Sequence, residues 1–318
     1  MKVTLAIMTA LLAHLAIAAT ALAQNPVQWN GNVRAAIDRA AEQQLPVLFW
    51  VTKARDVLED DDLRDAQADS FRDPVVVTIA EHHFVPARVS RNSRMIEEAQ
   101  KLGLPTAYGL YVALVTSDGR VLDQIDPGVV ADAGAFAERL TKAFRSYRDA
   151  LYQSQLKATI TSAESSKAEV RKALQTVWRL NILSADKDIV QLLDRKDLLP
   201  VERQRLYSAL ASFATGPCVD ALLVRAAKGD AEAKSALATA EAGALEFLLP
   251  QLPTGDSATD VQIVAYEAAA RIARMTPRRP ATFWSTSKPE DRTREIDSLR
   301  ARAANVLDYW QERTGRWR

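Results

Sequence analysis

Strand signals stop near Arg145, and this break constrains the fold more than any other feature of the chain. Before it, short apolar runs alternate with amphipathic stretches. After it, the chain is Ala-, Leu- and Arg-rich with helical spacing throughout. Such a pattern predicts an α/β domain over residues 24–150 and an all-α domain over residues 151–318.

In the first part, Asn32 to Gln44 carries Val33, Ala36, Ile37 and Ala40 on one helical face, and Pro46 ends it. Val47 to Val51 is a continuous apolar run, as expected of a central buried strand. Val75-Val76-Val77 favours a strand by propensity. Asp73-Pro74, however, supplies an N-cap and a proline for a first helical turn, so a helix from about Pro74 to His82 is predicted. Phe84 to Val89 reads as a strand, and Pro86 suggests an edge or a bulge. Tyr111 to Val115 and Arg120 to Ile125 form a hairpin around Ser117-Asp118-Gly119. Ala131 to Phe144 closes the domain as a helix, with Phe136, Leu140 and Phe144 on one face.

Three stretches carry a resemblance to exported thioredoxin-like domains: AAEQQLPVLFWVTKARDVLED, DPVVVTIAEHHFVPARV and YVALVTSDGRVLDQI. The resemblance implies a thioredoxin-like fold over most of residues 27–147. In that family a Cys-x-x-Cys opens the helix after the first central strand, where the helix N-terminus activates the first thiol. The corresponding stretch here is Ala54-Arg55-Asp56-Val57, so Ala54 and Val57 stand at vestigial redox positions. The family's cis-proline position falls near Gly109-Leu110, with Pro105 about five residues too early for a simple match. The resemblance therefore implies the domain without its thiol–disulfide chemistry.

No other catalytic or metal-binding constellation is evident. Asp56, Glu59, Asp60, Asp61 and Asp62 cluster beside that loop, but they lack the glycine and alternating ligands of a calcium loop and read as a solvated helix end. His82 and His83 are adjacent, and adjacent helical residues do not share a face. Ser90, Ser93 and Ser117 have no partnered histidine in sequence. No cofactor is implied.

The second part predicts helices at 145–158, 165–180, 185–194, 200–214, 217–228, 230–239, 242–250, 258–274 and 289–312. Ala209-Leu210-Ala211, Gly216 and Leu222-Leu223 recur about 27 residues later as Ala236-Leu237-Ala238, Gly243 and Leu248-Leu249. Recurring short helix pairs look like HEAT-type repeats, which bury their apolar faces only by stacking. An irregular helical bundle is the alternative. Trp284 precedes the last helix, near Arg292 and Arg294. An exposed Trp beside Arg is a frequent binding hot spot, whereas a buried Trp would simply cap the stack, and these three are candidate binding residues.

The first 23 residues have the form of a cleavable signal peptide: Lys2, an apolar run from Val3, and Ala21-Leu22-Ala23 before Gln24. The expectation is a periplasmic or secreted protein with no membrane insertion after cleavage. Cys218 is the only cysteine, so no internal disulfide can form, and Val219, Leu222 and Leu223 at helical spacing predict that its thiol is buried. The chain carries 41 basic and 40 acidic side chains, which argues against a nucleic-acid partner. Residues 24–150 hold 15 Lys/Arg and 19 Asp/Glu, and residues 151–318 hold 25 and 21. These features together predict a non-catalytic protein- or peptide-binding scaffold. The alternative is an enzyme, or an enzyme accessory, with its site at the domain interface.

Overall fold

The computed structural model describes residues 26–52, 61–90, 97, 100–101, 111–195, 198–253 and 257–313. Two compact units divide between Tyr147 and Arg148. Among the described residues no helix is long and apolar enough to cross a membrane.

The first unit contains α1 (Val33–Gln43), β1 (Val47–Thr52), α2 (Asp61–Ser70), α3 (Pro74–His83), β2 (Val85–Ser90), β3 (Tyr111–Val115), β4 (Val121–Ile125), α4 (Pro127–Ala131) and α5 (Ala133–Leu151) as far as Tyr147. Asn32 caps α1 by accepting from Ala35 N, and Gln44 ends it in the left-handed region. Asp73 Oδ1 accepts from Val75 N at 2.9 Å and Val76 N at 3.2 Å. The cap thus fixes a helix where three valines would favour a strand.

The strands form one mixed sheet in the order β2-β1-β3-β4. β1 runs parallel to β2 in the register Val47↔Val85 and antiparallel to β3 in the register Val47↔Val115. β3 and β4 are antiparallel, with an irregularity at Leu114/Val115. Pro86 does lie on the outermost full strand, where Asn30 bridges the outer edge: Asn30 N donates to Pro86 O and Arg88 N donates to Asn30 O, both at 3.0 Å. Central position explains the apolar run of β1, since Val47, Leu48 and Phe49 have no exposed surface.

An aromatic cluster packs on this sheet. Phe71 contacts Trp29 at 4.7 Å, Trp50 at 4.8 Å and Phe136 at 5.4 Å between ring centroids. Gln67 is fully buried and satisfied: its Oε1 accepts from Trp50 Nε1 at 3.2 Å and its Nε2 donates to Pro127 O at 3.1 Å. Replacing Phe71 with Ala would cost about 3–5 kcal/mol.

The second unit contains a π-helical turn (Tyr152–Leu156), then α6 (Lys157–Thr161), α7 (Lys167–Arg179), α8 (Asp186–Leu192), α9 (Pro200–Phe213) and α10 (Gly216–Ala227). These are followed by α11 (Ala231–Ala238), α12 (Leu245–Leu248), α13 (Asp260–Ile272), α14 (Phe283–Thr286) and α15 (Pro289–Arg313). The helices pack in two alternating series. α9, α11 and α13 are successive neighbours, as are α8, α10, α12 and α15. Leu210 and Leu237 are buried at matching places in α9 and α11, and Leu222 and Leu248 in α10 and α12. Cys218 is buried in α10, as its neighbours predicted.

Candidate binding cleft

α7 begins at a capping box in which Ser166 and Glu169 satisfy each other's backbone N–H groups. Its amphipathic face then presents Val170, Leu174 and Trp178 at four-residue spacing. α9 begins at Pro200, and Glu202 reaches back so that its Oε2 accepts from Leu199 N at 3.1 Å. Between these helices and the end of α8 lies a cleft with about 630 Å³ of empty space out to its open mouth, of which about 80 Å³ is roomy enough for water.

The walls are apolar. Val170, Leu174, Leu192 and Leu206 are buried, while Leu198 and Trp178 are half-buried. The indole Nε1 of Trp178 is itself buried and has no acceptor among the described residues. Lys167, Arg171, Arg195 and Arg205 also line the cleft, Lys167 and Arg195 each with a partner of its own, and among the described lining residues the acid is Glu202. That acid is committed elsewhere: its Oε1 accepts from Arg171 Nη2 at 3.1 Å while its Oε2 caps α9. The Leu199 N–H, with the Arg171 and Lys167 charges, outweighs partial desolvation and holds the Glu202 carboxyl below its usual range. The cleft therefore joins an apolar floor to a rim of charged side chains. Leu199 and Val201 stand beside it at 54% and 51% exposure.

Two other depressions each hold a cation that is paired with an acid. The one between α11 and α13 holds Lys234, but Glu267 neutralises it at 2.5 Å. The one beside β4 holds Arg139, whose Nε and Nη2 grip both oxygens of Asp123 at 2.6 and 2.7 Å.

The candidates from sequence fare differently. Ala54 and Val57 lie outside the described residues, as do Asp56, Glu59, Asp60, Pro105 and Gly109-Leu110. Trp284 is 1% exposed, with its ring edge-on to Tyr266 at 4.7 Å and Phe283 at 5.1 Å, so it fills the interior instead of offering a surface. Arg292 meets its backbone, Nη1 donating to Trp284 O at 3.1 Å, and exposed Arg294 lies 3.4 Å from Asp291. His82 is exposed, and His83 stacks on Phe144 at 4.3 Å. Among the described residues no three His, Cys, Asp or Glu side chains group closely enough to hold a metal ion. No family model and no curated protein matches this chain.

Proposed function

We propose that the chain is an exported, non-catalytic protein-binding or scaffold protein, in which a thioredoxin-like domain without its dithiol is followed by HEAT-like helical repeats. The observation that carries this reading is the alternating stack of α8 to α13 and α15, since stacked helix pairs form extended surfaces suited to peptide and protein partners. The thioredoxin-like assignment is supported by the order β2-β1-β3-β4, with β2 and β1 parallel, an antiparallel β3-β4 hairpin, and Asn30 bridging the outer edge of β2. The export assignment is supported by Lys2, the apolar run after it and Ala21-Leu22-Ala23.

The test is affinity capture from a periplasmic extract with the purified protein as bait, read by mass spectrometry against a bait of matched charge. A partner retained through salt washing and recovered reciprocally supports the reading. Finding no specific partner, together with turnover in an activity screen, would overturn it.

A further inference from the structure

We infer that the arginine loop between α13 and α14 takes a carboxylate-rich segment of a partner protein, an assignment that rests on the binding reading above. From Arg271 to Pro289 the chain carries Arg271, Arg274, Arg278, Arg279 and Lys288 and no acid. The imbalance is local: residues 271–318 hold 12 Lys/Arg and 6 Asp/Glu, whereas residues 151–270 hold 13 and 15.

The loop is fastened at both ends. α13 closes in a Schellman arrangement, in which Met275 N donates to Ala270 O at 2.8 Å and Arg274 N donates to Arg271 O at 3.0 Å. Met275 is buried, and Arg302 Nε of α15 donates to Ala273 O at 3.0 Å. At the far end Arg279 N donates to Tyr266 Oη at 3.1 Å, and Arg279 Nε donates to Oε2 of buried Glu295 at 2.8 Å. Arg279 is therefore an anchor of the fold. Arg271, Arg274 and Arg278 are not: all three are exposed, and their side chains make no hydrogen bond or ion pair with the described residues. Glu267, one helical turn before Arg271, is committed to Lys234 at 2.5 Å. Asp256, outside the described residues, precedes the opposite end of α13 in sequence.

Three uncommitted guanidinium groups on a fixed backbone decide the class of ligand. Each matches a carboxylate in planar, bidentate geometry. They stand at separate positions over eight residues, so a row of acids suits them better than one small anion. A loop already held in place loses little freedom on binding. Among the described residues 271–289 no large apolar side chain is exposed, so the loop has no anchor for a lipid surface. Arg271 also lines the depression between α11 and α13, whose empty space of about 590 Å³ gives the segment room beside the loop.

The experiment uses the purified protein and a fluorescein-labelled peptide, Glu-Asp-Glu-Ser-Asp-Glu-Asp-Glu, followed by fluorescence anisotropy. The acidic peptide should saturate, and its binding should weaken as salt rises. A companion peptide with every acid replaced by its amide should bind about tenfold more weakly. The double variant Arg274→Glu, Arg278→Glu should lose about tenfold with an unchanged melting temperature. Arg274→Gln, Arg278→Gln serves the same purpose if the Glu variant does not fold. Lys172→Glu, Lys228→Glu makes the same change in net charge at exposed positions on α7 and after α10, and it should retain full binding.

Equal binding of the amide peptide, full binding by the folded loop variant, or an equal loss in the Lys172/Lys228 variant would overturn the assignment. Vesicles of phosphatidylglycerol, or inorganic phosphate, binding more tightly than the peptide would overturn it in favour of a phosphate ligand. A partner captured equally by wild type and the loop variant would sink the loop assignment while leaving the binding reading intact.

Discussion

A Cβ placed on Gly243 would lie 2.7 Å from Cη2 of Trp310, closer than real contacts allow. Gly243 is the middle residue of the short 3-10 turn (Ala242–Ala244) before α12, and Trp310 comes from α15, so the glycine lets one layer of the stack approach the next. Gly216, its counterpart at the start of α10, faces Phe247 of α12, where an added Cβ would stand 3.2 Å from the ring. The sequence repeat thus has a physical meaning: each glycine admits an aromatic ring from the following layer.

Gly243→Ala should therefore destabilise the protein by about 1–2 kcal/mol, overpacking outweighing the gain in helix propensity. Gly216→Ala should be near neutral, because Phe247 is half-buried and can shift by the few tenths of an ångström required. Urea unfolding measures both. In a double-mutant cycle, Trp310→Leu should rescue part of the Gly243→Ala loss. Strict additivity would contradict the close approach.

A second device recurs along the same unit. Tyr207 Oη donates to Asp230 Oδ2 at 2.6 Å, Tyr152 to Asp188 at 2.5 Å, and Tyr266 to Glu295 at 2.6 Å. Asp230 also caps α11 by accepting from Glu232 N and Ala233 N. Burial opposes its charge, but the Tyr207 hydroxyl and the Ala233 and Glu232 N–H groups prevail and hold the carboxyl below the usual 3.8. Such a depressed carboxyl stabilises the fold above its unfolded value, and that contribution is lost as pH falls through the folded value. Burial, then the Asp230 hydrogen bond, pushes the Tyr207 phenol from 10.0 to about 12. A raised phenol contributes fully below pH 10.0 and loses that contribution as pH rises through about 12.

Tyr207→Phe should cost about 1–2 kcal/mol at neutral pH. It should also flatten, without abolishing, the alkaline loss of stability, since Tyr152 and Tyr266 are raised too. Urea midpoints measured across the pH range give the answer. An unchanged alkaline limb would mean that Tyr207 is solvated.

Local chemistry made much of this fold legible. Asp73-Pro74 outweighed three valines because a cap and a preset φ act on the helix start itself, and Pro86 marked the outermost strand because it lacks a ladder donor. The cleft left no comparable trace. Lys167, Arg171, Arg195 and Arg205 are spread over α7, the segment after α8, and α9, and only the packing of those helices brings them together. The four-residue spacing of Val170, Leu174 and Trp178 was visible, but such a stripe reads as ordinary core. Trp284 was ambiguous for the same reason, because its burial depends on Tyr266 from a preceding helix.

Trp284→Ala should accordingly cost about 3–5 kcal/mol of stability, the range for emptying a large aromatic site. Arg294→Ala, at an exposed pair, should change stability by less than about 0.5 kcal/mol. Thermal unfolding with calorimetric enthalpy separates them. A Trp284→Ala protein as stable as wild type, with reduced partner capture, would instead restore this Trp as a binding residue.

The proposed thioredoxin-like identity has its own test. β1 is flanked by parallel β2 and antiparallel β3, and the chain leaves it at Thr52, just before Ala54. If this strand is the one that precedes the redox loop in thioredoxin-like domains, Ala54 and Val57 occupy the two vacant cysteine positions, three apart in sequence. A disulfide of normal geometry is then possible between them. The double change Ala54→Cys, Val57→Cys, in a Cys218→Ala background, should oxidise spontaneously to an intramolecular bridge on export. Cys218 is buried, so its replacement alone should cost about 1 kcal/mol and must be shown to fold. The new bridge should add little stability, since the loop it closes is short. Thiol alkylation with and without reductant, followed by intact mass, reports the outcome. Full alkylation without reductant, or pairing only between chains, would place the register elsewhere and remove the main support for a thioredoxin-like domain.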